Sequence, residues 1–321
     1  MSALTIALPS KGRLQEQALA FLGDAGLNVA QARGTRDYVA TLSGIPDVAV
    51  ALLSAAEIAG ELRAGRVHLG ISGEDLLREH AQDAGDRTLV IEKLGFGRAD
   101  VIVAVPRAWI DVATMADLDD VAAAFHARHH RRLRVATKYL NLTRAFFAGH
   151  GIADYRIVES LGATEGAPAA GTAEAIVDIT TTGATLAANE LKVLDDGVIL
   201  RSEAVLAASL RAAWSEPARI AARALFDRLA ARALAKSGQI VRVRLDQAVE
   251  AALPTLERNL RAKVLTRTPT EASLLVTDAN LTQAMTLLRA TGTQASVTAE
   301  KTDYIFTAEN PLYAKLQAAL R

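Results

Sequence analysis

The chain has 321 residues, half of them hydrophobic, and its 36 Lys and Arg are matched by 36 Asp and Glu. That length exceeds one ordinary core and implies two or three domains, while a net charge of zero excludes binding to nucleic-acid backbones or acidic membranes through bulk charge. Cysteine is absent, which excludes disulfides, thiolate metal sites and cysteine nucleophiles, and aromatics at 4% argue against stacking platforms for single-stranded nucleic acid. Apolar runs such as Val101 to Pro106 are strand-length, and Met1-Ser2-Ala3-Leu4 lacks the order of a signal peptide, so a soluble cytoplasmic protein is expected.

Leu4 to Pro9 predicts a first strand, followed at once by Ser10-Lys11-Gly12-Arg13 and a helix with Leu14, Ala18, Phe21, Leu22 and Ala25 on one face. Val48 to Leu53 reads as a buried strand, with Ser54 as N-cap of a helix over Ala55 to Ala64 that ends at Gly65. Val67 to Ile71 is the next strand, running into Ser72-Gly73-Glu74-Asp75 and a short helix. Beyond Leu94-Gly95-Phe96-Gly97 come strands at Ala99 to Pro106 and Leu133 to Thr137. A helix from about Asn141 to Gly149 precedes strands at Tyr155 to Glu159 and Glu174 to Ile179. The last leads into Thr180-Thr181-Thr182-Gly183-Ala184-Thr185 and a helix ending near Asn189, and Val198 to Leu206 is a strand that returns to the first unit. Such alternation predicts parallel α/β sheets in two lobes, with the strand-to-helix turns facing a cleft between them.

From Ser215 a long helix rich in Ala, Leu and Arg runs to about Lys236. Strands at Ile240 to Leu245, Ala262 to Thr266 and Ala272 to Thr277 then alternate with helices at about Gln247 to Leu260 and Asn280 to Ala290. A final strand pair is expected around Ser296 to Phe306, which gives the split βαβ order of a ferredoxin-like domain. A packing or oligomerisation module and a ligand-sensing regulatory module both fit these residues. The expected division is 1–104 with 186–214 as one lobe, 105–185 as the second and 215–321 as a C-terminal domain.

Three turns carry candidate chemistry. Thr180 to Thr185 places hydroxyls, backbone N–H groups and one glycine at a helix start, where a dipole of about half a charge favours a phosphate, and Asp178 just before it suits ribose hydroxyls or a water-bridged magnesium ion. An ordinary helix cap with a structural aspartate fits the same residues. Lys11 and Arg13 oppose the dipole of the helix they begin, which points to an external anion, and Gly12 lets it approach the backbone. Gly73 and Glu74 form a third turn, equally consistent with a simple capped helix. The run His126 to Arg132 reads as a solvated helix end without a carboxylate partner nearby.

Taken together, Leu8 to Leu14, Leu69 to Asp75, Leu94 to Gly97, Arg134 to Leu142 and Glu174 to Leu186 resemble the ATP phosphoribosyltransferase family of histidine biosynthesis, in order and spacing over roughly residues 4 to 210. The resemblance implies a two-lobed periplasmic-binding-protein-like (type II) core with a C-terminal ferredoxin-like, ACT-like α+β domain. It implies a magnesium-dependent enzyme joining ATP to phosphoribosyl pyrophosphate (PRPP). Asp178, Thr181, Thr182, Gly183, Ala184 and Thr185 would bind PRPP, and Lys11, Gly12, Arg13, Gly73, Glu74 and Glu165 would bind ATP. Lys11, Arg13, Arg36 and Asp178 would be catalytic, with Mg²⁺ held mainly through substrate phosphates. The family usually carries an arginine where this chain has Ser54, and Arg36 or Arg33 is expected to replace it. The long form of the family is typically a homohexamer inhibited by L-histidine, so a homo-oligomer with that inhibitor is expected. A non-catalytic paralogue acting as a regulatory subunit, or a cytoplasmic solute-binding sensor, is the alternative.

Overall fold

The computed structural model describes residues 3–31, 39–81, 87–160, 162–292 and 297–321. The first lobe contains β1 (Leu4–Pro9), α1 (Gly12–Asp24), β2 (Val29–Gln31), β3 (Val39–Leu42), β4 (Val48–Leu53), α2 (Ala55–Ala64), β5 (Leu69–Gly73), α3 (Glu74–Glu79) and β6 (Thr88–Lys93). The second holds β7 (Ala99–Pro106), α4 (Met115–His129), β8 (Leu133–Thr137), α5 (Leu140–Gly149), β9 (Tyr155–Glu159), β10 (Ala175–Thr180), α6 (Ala184–Ala188) and β11 (Leu191–Ser202). The chain then re-enters the first lobe as β12 (Ala204–Ser209) and α7 (Glu216–Lys236).

The first sheet runs β2-β3-β4-β1-β5-β12-β6 and the second β11-β7-β10-β8-β9. Their centres are parallel, β1 with β4 and β5, and β8 with β9 and β10. Antiparallel strands enter where the chain changes lobe: β12 against β5 and β6, and β7 against β10 and β11. The two-lobed type II arrangement is therefore present, with mixed rather than wholly parallel sheets.

Both sheets are covered on two faces, which explains their nearly continuous apolar strands. In β7, Val101, Val103 and Val105 enter one core with Phe147, while Ile102 and Ala104 enter another with Ile176 and Leu186.

The lobe boundaries differ from the expected ones. Strands β7 and β11 belong to the second sheet, so the chain crosses at residues 94–98 and again at Glu203 rather than near 104 and 186. The single strand expected over Val198 to Leu206 is two strands in different sheets, Ser202 pairing with Ala99 and Ala204 with Gly73. Helix α7, expected in the C-terminal domain, packs Ala222, Leu225, Phe226 and Leu229 into the first lobe's core.

Beyond it lie β13 (Gln239–Arg244), α8 (Gln247–Leu260), β14 (Lys263–Arg267), β15 (Glu271–Val276), α9 (Leu281–Ala290) and β16 (Thr298–Glu300). The sheet order β14-β15-β13-β16, antiparallel throughout, is the ferredoxin-like one. In place of the expected final strand pair, the described residues there form one strand, β16. The chain then returns as α10 (Pro311–Ala319), started by Asn310, whose Oδ1 accepts from the N–H groups of Leu312 and Tyr313. Its Leu316 is buried in the first lobe's core, an anchorage that a strand ending near Phe306 does not supply.

Candidate functional site

The turns after β1, β5, β8 and β10 converge at the junction of the lobes. At the first, Gly12 has φ +72° and Lys11 is an extended N-cap; α1 has neither a side-chain cap nor an acidic residue in its first turn. Arg13 and Gln17 of α1 line a cleft of about 690 Å³ that also receives Gly73, Asp75, Phe96, Lys138 and Thr181. Lys11 is exposed and is not among those lining residues. With Ser54's two hydrogen bonds as the main cause, its ammonium also helps hold the Glu57 carboxyl below the usual range. Ser54 and Glu57 cap α2 reciprocally, Ser54 N–H donating to Glu57 Oε2 (2.8 Å) and Glu57 N–H to Ser54 Oγ (3.3 Å). Arg36 and Arg33, expected to stand in for the family arginine, lie outside the described residues.

The acidic turn after β5 differs from expectation. Glu74 does not face the cleft: its side chain is 4% exposed, and its oxygens pair with Lys93 (2.8 Å) and Arg78 (3.3 Å). Its neighbour Asp75 does line the cleft, accepting from Ser202 Oγ (2.8 Å) and from the Tyr139 hydroxyl (2.7 Å). Burial first, and the Asp75 charge second, push the Tyr139 phenol far above its ordinary value, so it is a permanent donor. A Cβ at Gly73 would come within 2.3 Å of Asp75 Oδ1, so only glycine fits there without a shift.

In the second lobe, Asp178 and the following turn enclose a hollow of about 270 Å³ lined by Glu165, Thr181, Thr182, Ala184 and Thr185. The structure thus places Glu165 beside Asp178 rather than beside Arg13. Burial raises the Asp178 carboxyl above its ordinary value; the Ile179 N–H (2.8 Å) and Lys138 pull it back, and Glu165 pushes it up. Gly183 has φ +74° and caps α6. Thr180 Oγ1 accepts from Gly183 N–H (2.9 Å) and Thr182 Oγ1 from Ala184 N–H (3.4 Å), which leaves each hydroxyl proton free to point at an anion. Helix α6 has five residues, too few for the macrodipole expected of it, so what this turn offers an anion is its hydroxyls rather than a dipole.

A third hollow, about 450 Å³, lies at the crossing strands between Lys93, Arg98, Asp100 and Arg201. Thr181 lines all three spaces and donates to the Arg98 carbonyl (3.3 Å). Lys138, Arg98 and Asp75 were not picked out by sequence reasoning; Lys138 follows β8 directly, Arg98 follows Gly97 as Arg13 follows Gly12, and Asp75 comes two residues after Gly73. His126 does find a carboxylate, Asp154 at 2.8 Å, from 28 residues away. Among the described residues no group of three or more His, Cys, Asp or Glu could hold a metal ion.

The family described as ATP phosphoribosyltransferase matches residues 54–231. ATP phosphoribosyltransferase from Bradyrhizobium sp. (strain ORS 278) is 56% identical over 321 residues, 99% of this chain and 98% of that one. Its namesake from Afipia carboxidovorans is 56% identical over 318 residues, 98% of each. The solved ATP phosphoribosyl transferase (HisG:HisZ) complex from Thermotoga maritima has a TM-score of 0.54 at 23% identity, over 70% of this chain and 95% of that one, a likeness of fold.

Proposed function

This chain belongs to the ATP phosphoribosyltransferase family, and from that premise we propose how its cleft carries out the reaction. The enzyme joins N1 of the ATP adenine to C1 of PRPP and releases pyrophosphate, the first step of histidine biosynthesis. Adenine N1 bears no proton, so attack needs no general base. It needs N1 and C1 held in line, and charge stabilised on the departing pyrophosphate as C1 becomes cationic.

The observation that supports this reading is the shared position of Thr181, which joins the Asp178 hollow of one lobe to the Arg13 cleft of the other. Asp178 accepts from the ribose hydroxyls of PRPP, while the hydroxyls of Thr182 and Thr185 donate to its 5-phosphate and Thr181, Gly183 and Ala184 shape the turn around it. Arg13, with Lys11 and Gly12 at the start of α1, faces the ATP phosphates, and Gly73 leaves room beside them. Lys138 and Arg98 add cations where the leaving group must lie, a role the resemblance gave to Arg36. Glu165 serves the PRPP side, and Glu74 acts through Lys93.

Magnesium fits the oxygen donors present. Asp178 and Glu165 share one hollow, and their mutual repulsion, which helps hold the Asp178 proton, would be relieved by a cation. When bound, the ion would draw charge from the departing pyrophosphate. The C-terminal domain is the proposed seat of L-histidine inhibition and of assembly into a homo-oligomer, in a protein of the cytoplasm; no described helix is long and apolar enough to cross a membrane.

The test is the purified chain with ATP, PRPP and Mg²⁺, followed by the absorbance of phosphoribosyl-ATP and by pyrophosphate release. Absence of both overturns the reading, turnover undiminished by a chelator overturns the metal, and full activity at saturating histidine overturns the inhibition.

A further inference from the structure

Helix α3 carries a third acidic residue, Glu79, that the reaction above does not use. It is 6% exposed, belongs to the first lobe, and makes its hydrogen bonds in the second. Its carboxylate accepts from the backbone N–H groups of Asn141 (2.9 Å) and Leu142 (3.0 Å), and its carbonyl accepts from Asn141 Nδ2 (2.9 Å). Helix α5 depends on this. Its N-cap, Tyr139, makes no side-chain cap, and its first turn holds no acidic residue, so Glu79 supplies from across the cleft what α5 lacks.

Only Lys138 and Tyr139 separate β8 from α5. Tyr139 is pinned at both ends, its N–H on Thr137 Oγ1 (2.9 Å) and its hydroxyl on Asp75. Lys138 is the exposed member of that turn. Its Nζ lies 5.1 Å from the centre of the Tyr139 ring, and it lines the cleft.

We propose that Glu79 is a positioning residue for phosphoribosyl transfer, holding the Lys138 ammonium in the cleft by capping α5 from the opposite lobe. The proposal rests on the functional reading above. Because α3 follows β5 directly, the same link ties the Gly73 turn on the ATP side to the Lys138 turn on the PRPP side. Glu79 itself touches neither substrate.

The experiment measures kcat, both KM values and Tm for the full chain and for Glu79→Ala, Glu79→Gln, Lys138→Met and the Glu79→Ala/Lys138→Met double variant. Lys138→Met and Glu79→Ala are each expected to lower kcat/KM about tenfold or more, as misplacement of a binding group does. Glu79→Gln, which keeps an acceptor oxygen at the same reach, is expected to recover most of that loss. If Glu79 acts through Lys138, the double variant matches Lys138→Met alone. A merely structural Glu79 would instead give losses that multiply, and that result overturns the proposal, as do unchanged constants in Glu79→Ala. Should Glu79→Ala fail to fold, Glu79→Asp, which withdraws the carboxylate by one methylene, takes its place in the same cycle; no loss there, or a multiplying one, overturns it equally. A parent chain without turnover sinks the functional reading and this proposal together, whereas an active parent beside an unaffected variant sinks the proposal alone.

Discussion

The turn at Lys11 to Arg13 and the turn at Thr180 to Gly183 solve the same problem in opposite ways. Both place a glycine at positive φ where a strand gives way to a helix. The first opens a 13-residue helix without a side-chain cap and puts a guanidinium in the cleft. The second opens a five-residue helix and caps its own N–H groups with threonine hydroxyls. The first offers charge and an uncapped helix start; the second orients hydroxyl donors around a half-buried carboxylate. On the proposed reading, a neutral protein holds two polyanionic substrates without a basic surface because the attraction is built locally into these two turns.

The sharpest way to break the comparison is Asp178→Asn, expected to cut kcat about a hundredfold, as removal of one preorganised polar group does, with phosphoribosyl-ATP formation as the measure. The same variant is expected to be more stable than the parent at neutral pH. The native state holds the Asp178 proton to higher pH than the unfolded chain, so stability is lost as pH rises from the ordinary carboxylate pKa through the raised one and stays lost above it. The asparagine removes that loss, and its Tm advantage should vanish when melts are run below the carboxylate range.

Next in size, Arg13→Ala should raise KM for an anionic substrate about tenfold at low salt and by less at high salt, since an exposed guanidinium is screened. A salt-independent change would place Arg13 in a packing role. Gly12→Ala and Gly183→Ala should each cost about 1 to 2 kcal/mol in denaturant melts, because positive φ penalises any Cβ and both sites have open space around them. Equal stability costs with unequal KM changes would separate the two modes of binding. Smallest is Thr182→Ala, for which about 1 kcal/mol of PRPP affinity is at stake, since Thr182 is one of several hydroxyls around that hollow.

Much of this was legible along the chain. The apolar runs of β1, β4, β7 and β10, the Ser54 cap, Gly65 in the left-handed region after α2 and the Thr180 to Thr185 turn are local signals, acting within a few residues. Other local signals were not used. Asn310-Pro311, a capping residue followed by proline at the first helical position, marks the start of α10, which the expected strand pair around Ser296 to Phe306 left out. The helix after the Thr180 turn was rightly expected to end near Asn189, but a useful dipole was ascribed to it although so early an end leaves α6 only five residues.

The sequence by itself determined the alternation of strands and helices, the two lobes and the positions of the binding turns, because periodicity, caps and positive-φ glycines work over one or two turns of chain. Only the tertiary structure decided which carboxylates find donors far along the chain and which do not. Asp75 meets Ser202 from 127 residues away and Glu79 meets Asn141 from 62, so each is satisfied as a buried acceptor. Among the described residues Asp178 accepts from the neighbouring Ile179 N–H and shares its hollow with Glu165, which on the proposed reading leaves it to receive a substrate. Each is a carboxylate; the supply of donors differs, and folding sets that supply.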